Sequence, residues 1–152
     1  MTSSYTIRPA TAADAETIKR IVRSSPLNPN AVDWHYFLVL EIVENGQPVI
    51  ATIGMVHPEG DLQEVDSVAT RPEYRRRGYA EALVRALIER SPGPLYLLAE
   101  TELVAYYQRL GFRVLDANET PAVMREQADW VNNFFDGRVV YHVMGWLNDS
   151  AD

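Results

Sequence analysis

No cysteine occurs among the 152 residues, so neither a disulfide framework nor a thiolate zinc site can be built. No apolar run approaches the roughly 18 residues that a membrane-spanning helix requires. The opening Met1-Thr2-Ser3-Ser4-Tyr5 lacks a basic start leading into an apolar stretch, so no secretory signal and a cytoplasmic location are expected. Positive charge is in short supply: 14 Lys and Arg stand against 21 Asp and Glu, a formal charge of −7 that disfavours nonspecific nucleic-acid binding. The three histidines, His35, His57 and His142, are scattered and show no metal-ligand spacing, so no metal is expected. Repeats, linkers and low-complexity tracts are also missing. What remains is a chain of ordinary globular composition, 47% apolar, long enough for one domain with a full core and too short for two. A single domain over residues 1–152 is the expectation.

Several elements follow from pattern. Tyr5 to Pro9 reads as a short strand stopped by proline. Thr11 with Asp14 resembles a capping box, and Ile18, Ile21 and Val22 give the helical stripe behind it, to about Ser24. Pro26 to Asn30 breaks that helix, with a short helical turn expected over Ala31 to Trp34. Phe37–Val43 and Val49–Val56 are β-rich runs joined by Asn45-Gly46, a hairpin signal. His57 to Asp61 reads as the next turn, into a strand over Glu64–Thr70. From Ala80 to Arg90 a helix is expected, because Ala80, Leu83, Val84, Leu87 and Ile88 fall on one face. Leu95 to Ala99 has the all-apolar look of a central strand. Glu102 to Leu110 is helical with Gly111 at its C-terminal cap. Phe112–Leu115 and Val139–Met144 are the last strands, with a short helix over Met124 to Phe134 between them. The order of elements is that of a mixed α/β domain.

Against the acidic background one basic stretch stands out. Arg75-Arg76-Arg77-Gly78-Tyr79-Ala80 lies where a strand turns into a helix. A helix N-terminus offers about half a positive charge and four N–H groups without intrahelical partners, so it attracts anions. Gly78 has no Cβ to block close backbone approach, and Ala80 is nearly as small. A diphosphate-bearing ligand is the expectation. The lack of a G-K-[ST] ending excludes a P-loop.

The run from Val65 through Arg71-Pro72 to Ala80 resembles the GNAT superfamily of N-acetyltransferases, and Tyr107-Gln108-Arg109-Leu110-Gly111-Phe112 is similar to the end of a later helix in that family. The element order agrees from Tyr5 to Met144. The resemblance implies a mostly antiparallel sheet of about seven strands, splayed between strands 4 and 5, with helices on both faces. It implies acetyl-coenzyme A as acetyl donor. Backbone groups of Val68, Ala69 and Thr70 would pair with the pantetheine arm. The amides from Arg75 or Arg76 through Arg77, Gly78, Tyr79 and Ala80, with Glu81, would hold the pyrophosphate, and the arginine side chains would add charge near the 3′-phosphate. Glu100 stands where many members carry Asn. By the same resemblance Tyr107 is the acid that protonates the leaving thiolate.

The acceptor amine must lose a proton before it attacks, and an acidic residue on the fourth strand can take it through water. Asp66 is the first candidate and Glu64 the second. The acceptor is expected to be a primary amine of a small molecule or amino acid. Two alternatives stay open: a protein N-terminal or lysine acetyltransferase, and a catalytically silent acyl-coenzyme A-binding module. Dimers are frequent in the family, and Trp130, Phe134 and Phe135 are the residues to cover a homodimer interface; alternatively, the aromatic segment from Trp130 to Phe135 caps a small pocket.

Overall fold

The computed structural model describes residues 4–23 and 33–147. The elements are β1 (Thr6–Pro9), α1 (Ala15–Arg23), β2 (Phe37–Glu44), β3 (Gln47–Glu59), β4 (Leu62–Thr70), α2 (Tyr79–Arg90), β5 (Leu95–Glu100), α3 (Val104–Arg109), β6 (Arg113–Val114), α4 (Ala122–Phe134) and β7 (Tyr141–Trp146). The strands form one sheet in the order β1-β2-β3-β4-β5-β7-β6. Neighbours β1–β2, β2–β3, β5–β7 and β6–β7 are antiparallel, whereas β4 and β5 run parallel, with Glu64 opposite Tyr96. This is the expected mixed α/β fold. No helix among the described residues is long and apolar enough to cross a membrane. The expected break at Pro26 to Asn30 lies outside the described residues, and the turn near Trp34 is a 3-10 turn over Trp34–Tyr36.

The chain divides into two units, Met1–Val56 with Asp66–Arg90, and His57–Val65 with Ser91–Asp152. In the first, Asn45 and Gly46 both take positive φ (53° and 77°), the two-residue turn whose twist matches that of paired strands, and Glu44 pairs with Gln47 across it. Ile18, Ile21 and Val22 of α1 bury against Phe37 and Val39 of β2 and Ile53 and Met55 of β3. Side chains alternate along a strand, so Gly54 faces the other way. A Cβ there would lie 2.8 Å from Leu83 Cδ2, which shows how closely α2 is seated on β3. The two helices therefore cover opposite faces, and the apolar face of α2 is the stripe expected from its periodicity: Leu83 and Val84 are fully buried.

One charged cluster ties this unit together. The Arg8 guanidinium on β1 forms a bidentate pair with Asp14, at 2.8 and 3.1 Å, and reaches Glu41 on β2 at 3.0 Å. The Thr11 amide donates to the same Asp14 carboxylate at 2.8 Å, half of the capping box expected from sequence. The hydrogen bonds from Arg8 hold the Asp14 carboxyl down at about 2. A depressed folded-state value means that the stabilisation is present above the unfolded value of roughly 3.9 and is lost as pH falls towards the folded one. We expect Asp14→Asn to cost on the order of 1–2 kcal/mol at neutral pH, discounted because Arg8 is partly open to screening solvent. Urea titrations should show the gap between variant and wild type closing between about pH 4 and pH 2.

In the second unit Leu95, Leu97 and Ala99 of β5 are buried, while the alternate residues Tyr96 and Leu98 pack with Met124 and Ala128 of α4 and Val143 of β7. Glu100 pairs with Tyr141 of β7, whose hydroxyl donates to the Glu100 carboxylate at 3.2 Å. In this unit β6 and β7 differ most from the sequence reading. The last strand is displaced to Tyr141–Trp146, and β6 shrinks to Arg113–Val114. The amide of Phe112 is drawn back to the Tyr107 carbonyl at 3.1 Å, closing the end of α3 and leaving Phe112 out of the ladder.

Candidate functional site

The first unit presents the basic loop. After β4 the chain makes a 3-10 turn over Pro72–Tyr74, with proline at the start where a missing N–H costs nothing. The Arg71 amide donates to the Ala51 carbonyl at 2.9 Å, and the buried Tyr74 donates its hydroxyl to the Glu44 carboxylate. That hydrogen bond pushes the phenol pKa above its ordinary value. The turn is thus anchored to β2 and β3 before the loop proper begins.

Residues 75–78 are exposed, and two of them have positive φ, Arg76 at 66° and Gly78 at 82°. Alternation of this kind turns successive N–H groups towards one side, the geometry of an anion nest. A Cβ on Gly78 would meet nothing within 4 Å; it would project into open space. The Gly78 carbonyl accepts from the Ala82 amide at 3.1 Å, so Gly78 caps α2 and the amides of Tyr79, Ala80 and Glu81 have no intrahelical acceptor. Tyr79 itself is buried, edge-on to Tyr5.

The arginine side chains divide their work. Arg75 Nε donates to the Thr70 carbonyl at 3.2 Å, and Arg77 donates to the Glu73 carbonyl at 3.3 Å with its guanidinium over the Tyr74 ring. Both brace the loop from within. Arg71 Nε is buried without a hydrogen-bond partner among the described residues. A buried, unspent donor a few residues ahead of the loop suits an anionic ligand.

Val68, Ala69 and Thr70 are half-buried at the end of β4, and the Thr70 hydroxyl meets that of Thr52 at 3.0 Å. Ser67 just before them has φ of 55°, a conformation rare for a non-glycine residue, and its amide donates to Asp66 Oδ1 at 2.7 Å. Asp66 is half-buried.

The second unit holds the other two candidates. Tyr107 is half-buried on α3, edge-on to Tyr106 at 5.2 Å and to Phe112 at 5.8 Å. Gly111, with φ of 103°, ends that helix as expected. Glu64 is buried, 4% exposed, and is gathered with residues to which the sequence reading gave no functional role. Gln127 of α4 donates to Glu64 Oε1 at 3.2 Å, and His57 Nε2 lies 3.5 Å from the same oxygen. The other ring nitrogen of His57 is 3.9 Å from Glu59. The turn expected over His57 to Asp61 is a correction: β3 runs on to Glu59 and only Gly60 and Asp61 reverse the chain. That extension brings His57 and Glu59 to Glu64, and the spacing H-x-E ahead of a two-residue turn was the signal available for it.

An open groove of about 260 Å³ in this unit is lined by Leu115, Thr120, Arg125, Ala128, Tyr141 and Val143. None of the sequence-predicted residues lines it. Trp130 and Phe134 stack on each other on the outer side of α4, both about two-thirds exposed.

Residues 8–112 match the profile of the acetyltransferase (GNAT) family. No curated protein sequence matches the chain. Among solved structures, N-acetylglutamate synthase from Neisseria gonorrhoeae, complexed with coenzyme A and N-acetyl-glutamate, is 20% identical with a TM-score of 0.69; the match covers 95% of this chain and 35% of that one. The chain thus spans about a third of that relative's length. Rv2747 from Mycobacterium tuberculosis, in complex with coenzyme A, is 20% identical with a TM-score of 0.71, covering 93% and 98% of the two chains. The ribosomal-protein-S18-alanine N-acetyltransferase from Escherichia coli is 21% identical with a TM-score of 0.67, covering 98% and 97%.

Proposed function

The chain belongs to the GNAT family of acetyltransferases, and on that premise we propose that it transfers the acetyl group of acetyl-coenzyme A to a primary amine of a small molecule or amino acid. Residues 1–152 act as one transferase domain. The observation that carries the reading is the loop at 75–78, with two positive-φ residues, an open position at Gly78 Cβ and a helix N-terminus behind it. The residues fit a pyrophosphate: amides from Arg76 to Glu81 as donors, with the Arg71 guanidinium near the start of the loop. Complexes of the two relatives above with coenzyme A support the same donor. The backbone of Val68, Ala69 and Thr70 holds the pantetheine arm.

The chemistry assigns the remaining roles. An alkyl ammonium with pKa of about 10.4 is neutral in about one molecule in 2,500 at pH 7, so a proton must be removed first. Two carboxylates on β4 are available. Asp66 is committed to the amide next to it, whereas Glu64 is buried and in company with a histidine able to take a proton onward. We take Glu64 as the base, acting through water, with Asp66 as the second candidate. The free amine attacks the thioester carbonyl, an amide near Val68 meets the oxyanion, and the C–S bond breaks as Tyr107 donates its proton to sulfur. The second proton on nitrogen restores the phenol. One proton per turnover is left on Glu64.

The test is thiol release from acetyl-coenzyme A across polyamines, amino acids, aminoglycosides and peptides. Acceleration by a small amine is expected; acceleration by peptides alone would favour a protein acetyltransferase, and none by any amine a silent binding module. Glu64→Gln should then lower kcat by about 100-fold or more, with Asp66→Asn much milder. The reverse ranking would make Asp66 the base.

A further inference from the structure

We infer that His57 and Glu59 form the path by which Glu64 passes its proton to solvent. The inference rests on the reading of Glu64 as base and deepens it. Net acetylation of an ammonium releases one proton per cycle, and a carboxylate that is only 6% exposed in its side chain cannot shed it directly to bulk water. Its neighbours are graded outward: the His57 side chain is 18% exposed and that of Glu59 is 34%. The imidazole lies between the two carboxylates, Nε2 3.5 Å from Glu64 and Nδ1 3.9 Å from Glu59. Small carboxylate rotations or one bridging water close both gaps.

The ring is also oriented. Nδ1 lies 3.1 Å from the Pro58 carbonyl, an acceptor only, so the proton of the neutral imidazole sits on Nδ1. Nε2 then turns a lone pair towards Glu64, ready to receive. The transfer balances: the Glu64 O–H bond breaks as Nε2–H forms, the Nδ1–H bond breaks as an O–H forms on Glu59, and water removes that proton. The starting tautomer is restored when Nε2 gives its proton to water in the emptied site and Nδ1 takes one up through Glu59, an exchange with no net proton. Charged groups near the ring include Glu59 from β3 and Glu64 from β4, and α4 contributes the neutral Gln127 beside Glu64.

A shared metal ion fits less well, although the ligand atoms of the three residues lie within 4.8 Å of one another. The nearest approach of each carboxylate is to a different nitrogen of the ring, Glu64 to Nε2 and Glu59 to Nδ1, the arrangement of a relay; the experiment below includes the metal as an outcome.

The experiment uses the full chain, acetyl-coenzyme A and whichever amine of the panel turns over fastest. His57→Gln keeps a polar group of similar reach but cannot shuttle a proton; it should lower kcat about tenfold or more with the acetyl-coenzyme A KM and the thermal midpoint little changed. His57→Ala should regain rate as imidazole buffer is raised from about 1 to 100 mM, a response that loss of packing alone does not produce. Wild-type turnover in His57→Gln, or no response to imidazole, overturns the relay. So does inhibition of the wild type by micromolar Zn²⁺ that a chelator relieves and Glu59→Gln abolishes, which would assign the trio to a metal. Glu64→Gln separates the two levels: if it turns over normally, the base assignment fails whatever His57 does. Without any amine, ¹⁵N imidazole spectra should show the Nδ1–H tautomer for His57, and the opposite tautomer would contradict the path.

Discussion

Gly78→Val is expected to weaken acetyl-coenzyme A binding by about 100-fold or more in a calorimetric titration. Two effects act in the same direction. A β-branched residue does not adopt the φ of 82° that Gly78 holds, so the loop must rotate and its N–H groups lose their common aim. The new side chain also projects into open space where the ligand is proposed to sit, since beyond its chain neighbours no atom of the described residues lies within 4 Å of that Cβ position. Hydrogen bonds to a charged group are worth about 1.5–3 kcal/mol each, so misdirecting even two accounts for the loss. The same openness means that the core is untouched, and the thermal midpoint should move little. Gly78→Ala, smaller but still strained at that φ, should fall between. Unchanged affinity in the valine variant would remove the pyrophosphate loop from the account.

Tyr107→Phe is expected to lower kcat by about 100-fold or more while the acetyl-coenzyme A dissociation constant stays within about twofold. The substitution deletes one oxygen and keeps the ring, so its edge contacts with Tyr106 and Phe112 survive. A thiolate whose conjugate acid has pKa of about 8.5 can leave without help, only more slowly, which is why a residual rate is expected. Tyr106→Phe is the control. Its ring lies under the Arg109 guanidinium, and removing its hydroxyl should leave turnover close to wild type. Equal losses in both tyrosine variants would assign the effect to the packing of α3 and retire the acid.

Much of this was legible because local signals agreed with the tertiary outcome. The stripe of Ala80, Leu83, Val84, Leu87 and Ile88 gave α2 to within a residue, since a single buried face both forms the helix and seats it. Asn45-Gly46 specified its hairpin because each residue tolerates the positive φ that the turn demands. The basic loop could be read for the same reason: Gly78 at a strand-to-helix junction is a backbone requirement written directly in the sequence.

What could not be read depends on partners distant in sequence. Pro58 and Gly60 look like a turn from His57 onward, yet pairing with β4 extends β3 through both His57 and Pro58 to Glu59. The His57–Glu59–Glu64 trio exists only once that register is set, and Gln127 joins it from a helix 63 residues away in the chain. Ser67 carries no glycine to announce its φ of 55°. Phe112 to Leu115 has strand composition throughout, but the helix end claims the Phe112 amide, so only Arg113 and Val114 remain for β6. Glu100, which the family resemblance singled out, is used by the Tyr141 hydroxyl, a contact across β5 and β7 that no local pattern encodes.

The central claim is that main-chain amides from Arg76 to Glu81 receive the diphosphate of acetyl-coenzyme A. A crystal structure of the chain with bound coenzyme A tests it most directly. The expected result is pyrophosphate oxygens about 2.7–3.2 Å from those amides, with Gly78 φ still positive. Pyrophosphate lodged elsewhere on the protein, with the loop amides turned to solvent, would contradict the account.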